Sequence, residues 1–139
     1  STKLIIKLLC NYKIISEMLF MVQKEVANKM DYNKKNKNNK LKLIIEATSN
    51  FKIIHNLSNK VFYPKPKVQS SIIKIIPKNN IDINLQKLLL FSKEIFKNKR
   101  KKIKNIFRSD LMDNKFKKLI DKRAEDLKTN ELLYLFNEF

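Results

Sequence analysis

Ser16-Glu17-Met18-Leu19-Phe20-Met21-Val22 runs without a break into Gln23-Lys24-Glu25-Val26-Ala27-Asn28-Lys29-Met30, and this junction decides the fold class. The first part is a short, nearly continuous apolar run of strand length, the pattern of a strand covered on both faces. The second part has helix-forming composition. Upstream, Leu4, Ile5, Leu8 and Leu9 recur at helical spacing and leave Lys3 and Lys7 on the other face, which reads as the end of a helix. A strand flanked by helices predicts an α/β sheet.

Downstream, Phe51 to Leu57 and Gln69 to Ile76 read as two further strands, the second rich in β-branched Ile72, Ile73, Ile75 and Ile76. Leu41 to Thr48 fits helix or strand. Between the two strands, Pro64 and Pro66 fix φ and force an extended, stiff segment, so an aromatic loop is expected at one end of the sheet. After Pro77 the pattern turns helical. Leu85, Leu88, Leu89 and Phe96 mark one amphipathic helix, Ile103, Ile106 and Phe107 a second, and Phe116 to Asp121 and Asn130 to Phe136 two more, the last capped by Thr129 or Asn130. The chain therefore divides into an α/β piece, 1–78, and a small helical piece, 79–139. Asp31 to Lys40, a low-complexity run of Asn and Lys, reads as a solvated loop or as an RNA-contacting arm.

The chain has 139 residues and no glycine, where a frequency of about 7% would supply roughly ten. Gly-rich phosphate loops, both the P-loop and the dinucleotide fingerprint, are excluded, because they need φ > 0 and a close backbone approach. The 31 basic and 13 acidic residues leave a charge of +18. A charge this large favours a polyanionic partner, nucleic acid ahead of membrane. Basic residues are 28 Lys against 3 Arg, with 17 Asn and 18 Ile, the drift expected of an A+T-rich genome, so part of the charge is mutational.

Other chemistry is sparse. Cys10 has no partner cysteine and reads as a buried apolar residue in a reducing compartment. No apolar run approaches the roughly 18 residues of a membrane span. The single histidine, His55, lies in an apolar β run and reads as structural. Glu125 and Asp126 read as acids favouring a helix N-terminus. No nucleophile stands with a base at catalytic spacing.

Two stretches carry functional information. Phe62-Tyr63-Pro64-Lys65-Pro66-Lys67-Val68-Gln69-Ser70 places aromatics on a stiff, Lys-rich loop; a base lifted from its stack needs such a flat apolar partner, although Phe62 also fits a plug beneath the sheet. Phe96-Lys97-Asn98-Lys99-Arg100-Lys101-Lys102-Ile103-Lys104-Asn105 carries six cations in ten residues without an acid. Such a cluster repels itself unless phosphates neutralise it, and Ile103 at core spacing ties it to a folded helix; a merely solvated face is the other reading.

In this order, the two stretches resemble the F-x-P-x-P-K-V-x-S loop and the F-x-x-R-R-K-x-L-R-N helix of the KsgA-type rRNA adenine dimethyltransferases. Phe20-Met21-Val22-Gln23-Lys24-Glu25-Val26-Ala27 resembles the family's M-x-Q-K-E-V-A segment, and Arg123-Ala124-Glu125-Asp126-Leu127 its closing R-A-E-x-L. Asn38-Asn39-Lys40-Leu41 departs from the family's Tyr-Gly-Arg-Leu, and Lys99 and Lys104 replace arginines, keeping charge but losing the planar fork.

The resemblance implies the C-terminal part of a Rossmann-like methyltransferase sheet followed by a small helical domain. It implies transfer of methyl groups from S-adenosylmethionine to adenines of small-subunit rRNA, by a cytoplasmic, monomeric, soluble enzyme acting during ribosome assembly. Cofactor site and catalytic motif are expected upstream of Ser1, so this chain alone is expected to be inactive. Phe62 is then expected to stack on the target adenine with Pro64 and Pro66 stiffening its loop, and Lys67, Lys99, Arg100, Lys101, Lys102 and Lys104 to hold RNA. A non-enzymatic basic RNA- or DNA-binding module is the alternative.

Overall fold

The structure, a computed structural model, describes residues 2–106 and 114–139. Phe107, expected as a core position, lies outside them. The chain divides into two compact units: Ser1–Lys35 with Ile45–Asp82, and Asn36–Ile44 with Ile83–Phe139.

The first unit is built on a three-stranded sheet. Helix α1 (Thr2–Leu9) precedes strand β1 (Met18–Gln23), which passes directly into helix α2 (Lys24–Met30). Helix α3 (Lys40–Thr48) leads into β2 (Ser49–Leu57), and β3 (Ser70–Pro77) closes the unit. Of the two states that Leu41 to Thr48 allowed, the helix forms; Asn39 Oδ1 caps it by accepting from the Lys42 N–H at 2.8 Å. The division between units passes through α3, between Ile44 and Ile45.

Sheet order is β1-β3-β2, with β3 antiparallel to both neighbours. Phe20 faces Ile73 and Phe51 faces Ile75, and a bulge shifts the register between Ile53 and His55. Side chains alternate across β3, so Ser71, Ile73 and Ile75 are buried together with Met18, Val22 and Phe51. Helix α2 packs over β1 and β3 and contributes buried Ala27 and Met30.

Burial corrects one expectation. β1 is not covered on both faces: Leu19 and Met21 are 57% and 56% exposed, and Ile54 of β2 is exposed as well. An unbroken apolar run reports the composition of both faces of a strand, not what lies against each. Cys10, expected buried, is exposed where α1 ends, its N–H donating to the Ile6 carbonyl. His55 is also exposed.

In the second unit α4 (Leu85–Phe96) is capped by Asn84, whose Oδ1 accepts from the Lys87 N–H at 3.2 Å. It buries Leu88, Phe91 and Ile95, at helical spacing. Helix α5 (Asn114–Ile120) adds Phe116 and Leu119, and α6 (Thr129–Phe136) adds Leu132, Leu135 and Phe136. The Phe91 ring meets those of Phe136 and Phe139 edge-on at 5.4 and 5.3 Å. The α6 cap falls one residue earlier than expected: Lys128 occupies it, and its N–H donates to Glu131 Oε1 at 3.0 Å.

The end of the Asn/Lys run belongs to this unit and is not a solvated loop there. Asn38 is 7% exposed; its N–H donates to the Glu125 carbonyl at 2.9 Å, and its Nδ2 to the Leu127 carbonyl and Thr129 Oγ1 at 3.1 and 3.3 Å. Lys37 pairs with Glu125 at 3.1 Å and with Asp126 at 3.8 Å. Glu125 and Asp126 therefore sit in a short 3-10 turn, Ala124–Asp126, as ion-pair partners rather than at the N-terminus of an α-helix. No described residue has positive φ, so no described turn needs the conformation that favours glycine, and asparagine side chains close several of them.

Candidate nucleic-acid interface

The loop carrying Phe62 is fixed by where its two strands end. Leu57 of β2 and Gln23 of β1 both pair with Ser70, so the 58–69 loop rises at the sheet end where β1 passes into α2. Ser58 Oγ accepts the Lys60 N–H at 3.3 Å and starts a 3-10 turn, Asn59–Val61. Asn59 Nδ2 donates to the Pro66 carbonyl at 3.4 Å and draws the loop together. At its far foot Gln69 is held twice by Lys24: the Lys24 N–H donates to the Gln69 carbonyl at 2.9 Å, and Lys24 Nζ to Gln69 Oε1 at 3.3 Å.

Phe62 and Pro66 are half-buried, while Tyr63, Pro64 and Lys67 are exposed, and the Tyr63–Pro64 peptide bond is cis. Phe62 is thus neither a full plug nor a free side chain. Beside the loop foot an open groove of about 340 Å³ is lined by Gln23, Lys24, Glu25, Asn28, Val68 and Gln69. Gln23, Lys24 and Gln69 are not among the residues expected at a site; the Q-K-E segment is the only signal for the first two, and Gln69 lies in the Phe62 loop stretch.

The basic run departs from expectation. Lys97 to Lys102 is not helical, because α4 stops at Phe96 and the next element is a 3-10 turn, Ile103–Asn105. Asn98 turns the chain: its Oδ1 accepts the Arg100 N–H and its carbonyl the Lys101 N–H, each at 3.2 Å. Cations three and four residues apart would also repel along one helix face. Ile103 is fully buried, as its spacing predicts, and its N–H donates to the Lys122 carbonyl at 3.0 Å, while Lys102 bridges to Arg123 in antiparallel fashion.

The cations then fall into two sets. Lys102 Nζ and Lys104 Nζ both reach Asp121 Oδ1, at 3.3 and 2.9 Å, and these two ammoniums hold the Asp121 carboxyl below its ordinary pKa. A depressed pKa means that whatever the clip contributes to stability is present at neutral pH and lost only in acid, as pH falls through the lowered value. Lys99, Arg100 and Lys101 are exposed, and among the described residues no carboxylate pairs with them. Phe62, Pro64, Pro66 and Lys67 thus share one loop of the first unit, and the Lys99–Lys104 cations one turn of the second.

The groove at the loop foot does not suit S-adenosylmethionine. The groove presents the Lys24 ammonium, which repels a sulfonium, and its one carboxylate, Glu25, is paired with Lys29 at 3.4 Å. Among the described residues no three His, Cys, Asp or Glu side chains cluster as metal ligands, and no helix is long and apolar enough to cross a membrane.

The sequence profile of a family described as "Ribosomal RNA adenine dimethylase" matches residues 1–139. "Ribosomal RNA small subunit methyltransferase A" of Borreliella burgdorferi is 33% identical across 99% of this chain and 51% of its own length. The protein of that name from Mycoplasma mobile is 31% identical over 99% of this chain and 58% of its own. The chain spans about half the length of the curated relatives it matches. Among solved structures, a dimethyladenosine transferase from Plasmodium falciparum superimposes with a TM-score of 0.76 at 24% identity, covering 99% of this chain and 64% of that one. The 23S rRNA methyltransferase ErmE does so at 0.72 and 14% identity, over 99% and 60%; both share the fold.

Proposed function

We propose, from the premise that this chain belongs to the ribosomal RNA adenine dimethylase family, that it is the substrate-gripping C-terminal portion of an rRNA adenine N6,N6-dimethyltransferase. Residues 1–78 are read as the last part of a Rossmann-like methyltransferase domain and 79–139 as a small helical RNA-binding domain. The cofactor, S-adenosylmethionine, is assigned to sequence upstream of Ser1, in keeping with a chain that spans about half the length of the relatives it matches. The partner is small-subunit rRNA, met by a monomeric enzyme in the cytoplasm.

One observation carries this reading: the Phe62 loop rises from the sheet end where β1 passes into α2, its Gln69 foot bonded twice to Lys24 and its two arms joined by Asn59. In α/β folds that end is where ligands bind. Half-buried Phe62 keeps its ring direction when a base arrives, with Pro64 and Pro66 limiting the backbone and Lys67 offering charge beside it. The exposed cations Lys99, Arg100 and Lys101 of the turn that also carries Lys102 and Lys104 contact phosphates; such contacts fix register and orientation without reading bases. The chain's contribution to methyl transfer is position and exclusion of water around the adenine amine.

Calorimetry tests the assignment of the cofactor. Titrating S-adenosylmethionine into the 139-residue chain should give no binding heat, while an RNA hairpin gives a salt-sensitive isotherm. A saturating S-adenosylmethionine isotherm would overturn the upstream placement.

A further inference from the structure

Among the described residues, Asp121 is the one carboxylate set against the basic turn. Residues 96–105 carry six cations and no acid, and Asp121 takes two of those cations on a single oxygen. Backbone geometry makes the convergence possible. Lys102 and Lys104 flank Ile103, whose side chain is buried and whose N–H is bonded to the Lys122 carbonyl, so both lysines depart from an anchored point toward the segment that begins at Asp121. Asp121 is 59% exposed and each lysine 48%. Ion pairs this exposed contribute little to stability. Their effect falls on the charge left for a ligand: two ammoniums and a carboxylate offer one net charge, and both ammoniums already point at an oxygen.

We propose that Asp121 is a positioning residue that divides the basic run, retaining Lys102 and Lys104 as an internal clip and leaving Lys97, Lys99, Arg100 and Lys101 to meet phosphates. The proposal rests on reading this turn as a phosphate-binding surface. Asp121 thereby limits how tightly the turn holds any polyanion, so that RNA is held by the four outer cations in one orientation rather than by all six in many.

Counterion release turns this into a measurement. Each phosphate neutralised contributes about 0.7 to 0.9 to the slope of log affinity against log salt. Fluorescence anisotropy of a labelled RNA hairpin binding to the 139-residue chain, between about 50 and 200 mM KCl, gives that slope. Asp121→Asn frees two ammoniums and is expected to steepen the slope by about one to two and to tighten binding at low salt. Asp121→Glu keeps the charge and is expected to restore the parent slope. Replacing Lys99, Arg100 and Lys101 together with Ala should flatten the slope by about two to three.

The outcomes separate two failures. If the triple variant flattens the slope while Asp121→Asn leaves it unchanged or shallower, the role of Asp121 is overturned and the phosphate-binding reading stands. If neither variant moves the slope, both fall. A Glu variant behaving like the Asn variant also overturns the proposal, because restored charge would then fail to restore the clip. Urea unfolding curves of Asp121→Asn superimposable on the parent's exclude a loss of fold, which no change in salt slope would mimic.

Discussion

On the proposed reading, Phe62→Ala in the full-length protein is expected to lower adenine methylation about ten- to a hundredfold while RNA affinity stays within a few-fold. Stacking of a base on an aromatic ring is worth about 1–3 kcal/mol, and 1.4 kcal/mol is a factor of ten. On that reading the loss falls on turnover, because the ring would hold the lifted base rather than the duplex around it, and the phosphate contacts that would supply most affinity lie elsewhere. Restraint of the loop makes the ring effective. Asn59 holds the Pro66 carbonyl and Lys24 holds Gln69 by backbone and side chain, so the ring's position is set before the base arrives. Methylation by the Ala variant at the parent rate, measured on small subunits lacking the modification, would refute the stacking role. An equal loss of RNA binding and turnover would show that Phe62 instead supports the fold.

Phe91→Ala is expected to destabilise the helical unit by about 3–5 kcal/mol, a large share of the 5–15 kcal/mol typical of a domain. Phe91 is fully buried and meets Phe136 and Phe139 edge-on, so truncation removes its own burial and strips two rings of their partner. Urea unfolding measures it as a fall in midpoint at constant slope. A loss under about 1 kcal/mol would mean that the site collapses around the vacancy and that the core is not built on this ring.

Much of the fold is legible in the sequence because its elements are short and strongly patterned. β1 and α2 meet within a residue of the expected junction, β3 follows its isoleucines, and α4 follows its leucines. What is not legible depends on contacts far along the chain. Leu19 and Met21 look like core from composition, yet their face of the sheet is open among the described residues. Cys10 looks apolar and stands exposed at a helix end. Lys97 to Lys102 sits among helical periodicities, but Asn98 bonding to its neighbours turns the chain instead. The Asn/Lys run looks like expanded loop, whereas Asn38 is a buried hub whose partners lie 89 and 91 residues away. No local pattern announces such a bond.

The candidate site is legible in part for the same reason. Phe62, Pro64, Pro66 and the Lys99–Lys104 cations are conspicuous in the sequence. Asp121 is not, since the pairing of Lys102 and Ile103 with Arg123 and Lys122 brings its carboxylate to Lys102 and Lys104. The missing glycines have a structural counterpart: no described residue needs positive φ, and asparagines 39, 84 and 98 make the caps and turns.

The central claim is that this chain grips rRNA for adenine dimethylation whose cofactor is bound by sequence upstream. Expressing the complete reading frame that contains it, supplying S-adenosylmethionine and unmethylated small ribosomal subunits, and digesting the rRNA for mass spectrometry tests the claim most directly. The account predicts N6,N6-dimethyladenosine in amounts that rise with time and fall with Phe62→Ala. Full-length protein that binds the subunits yet leaves every adenine unmethylated would contradict it.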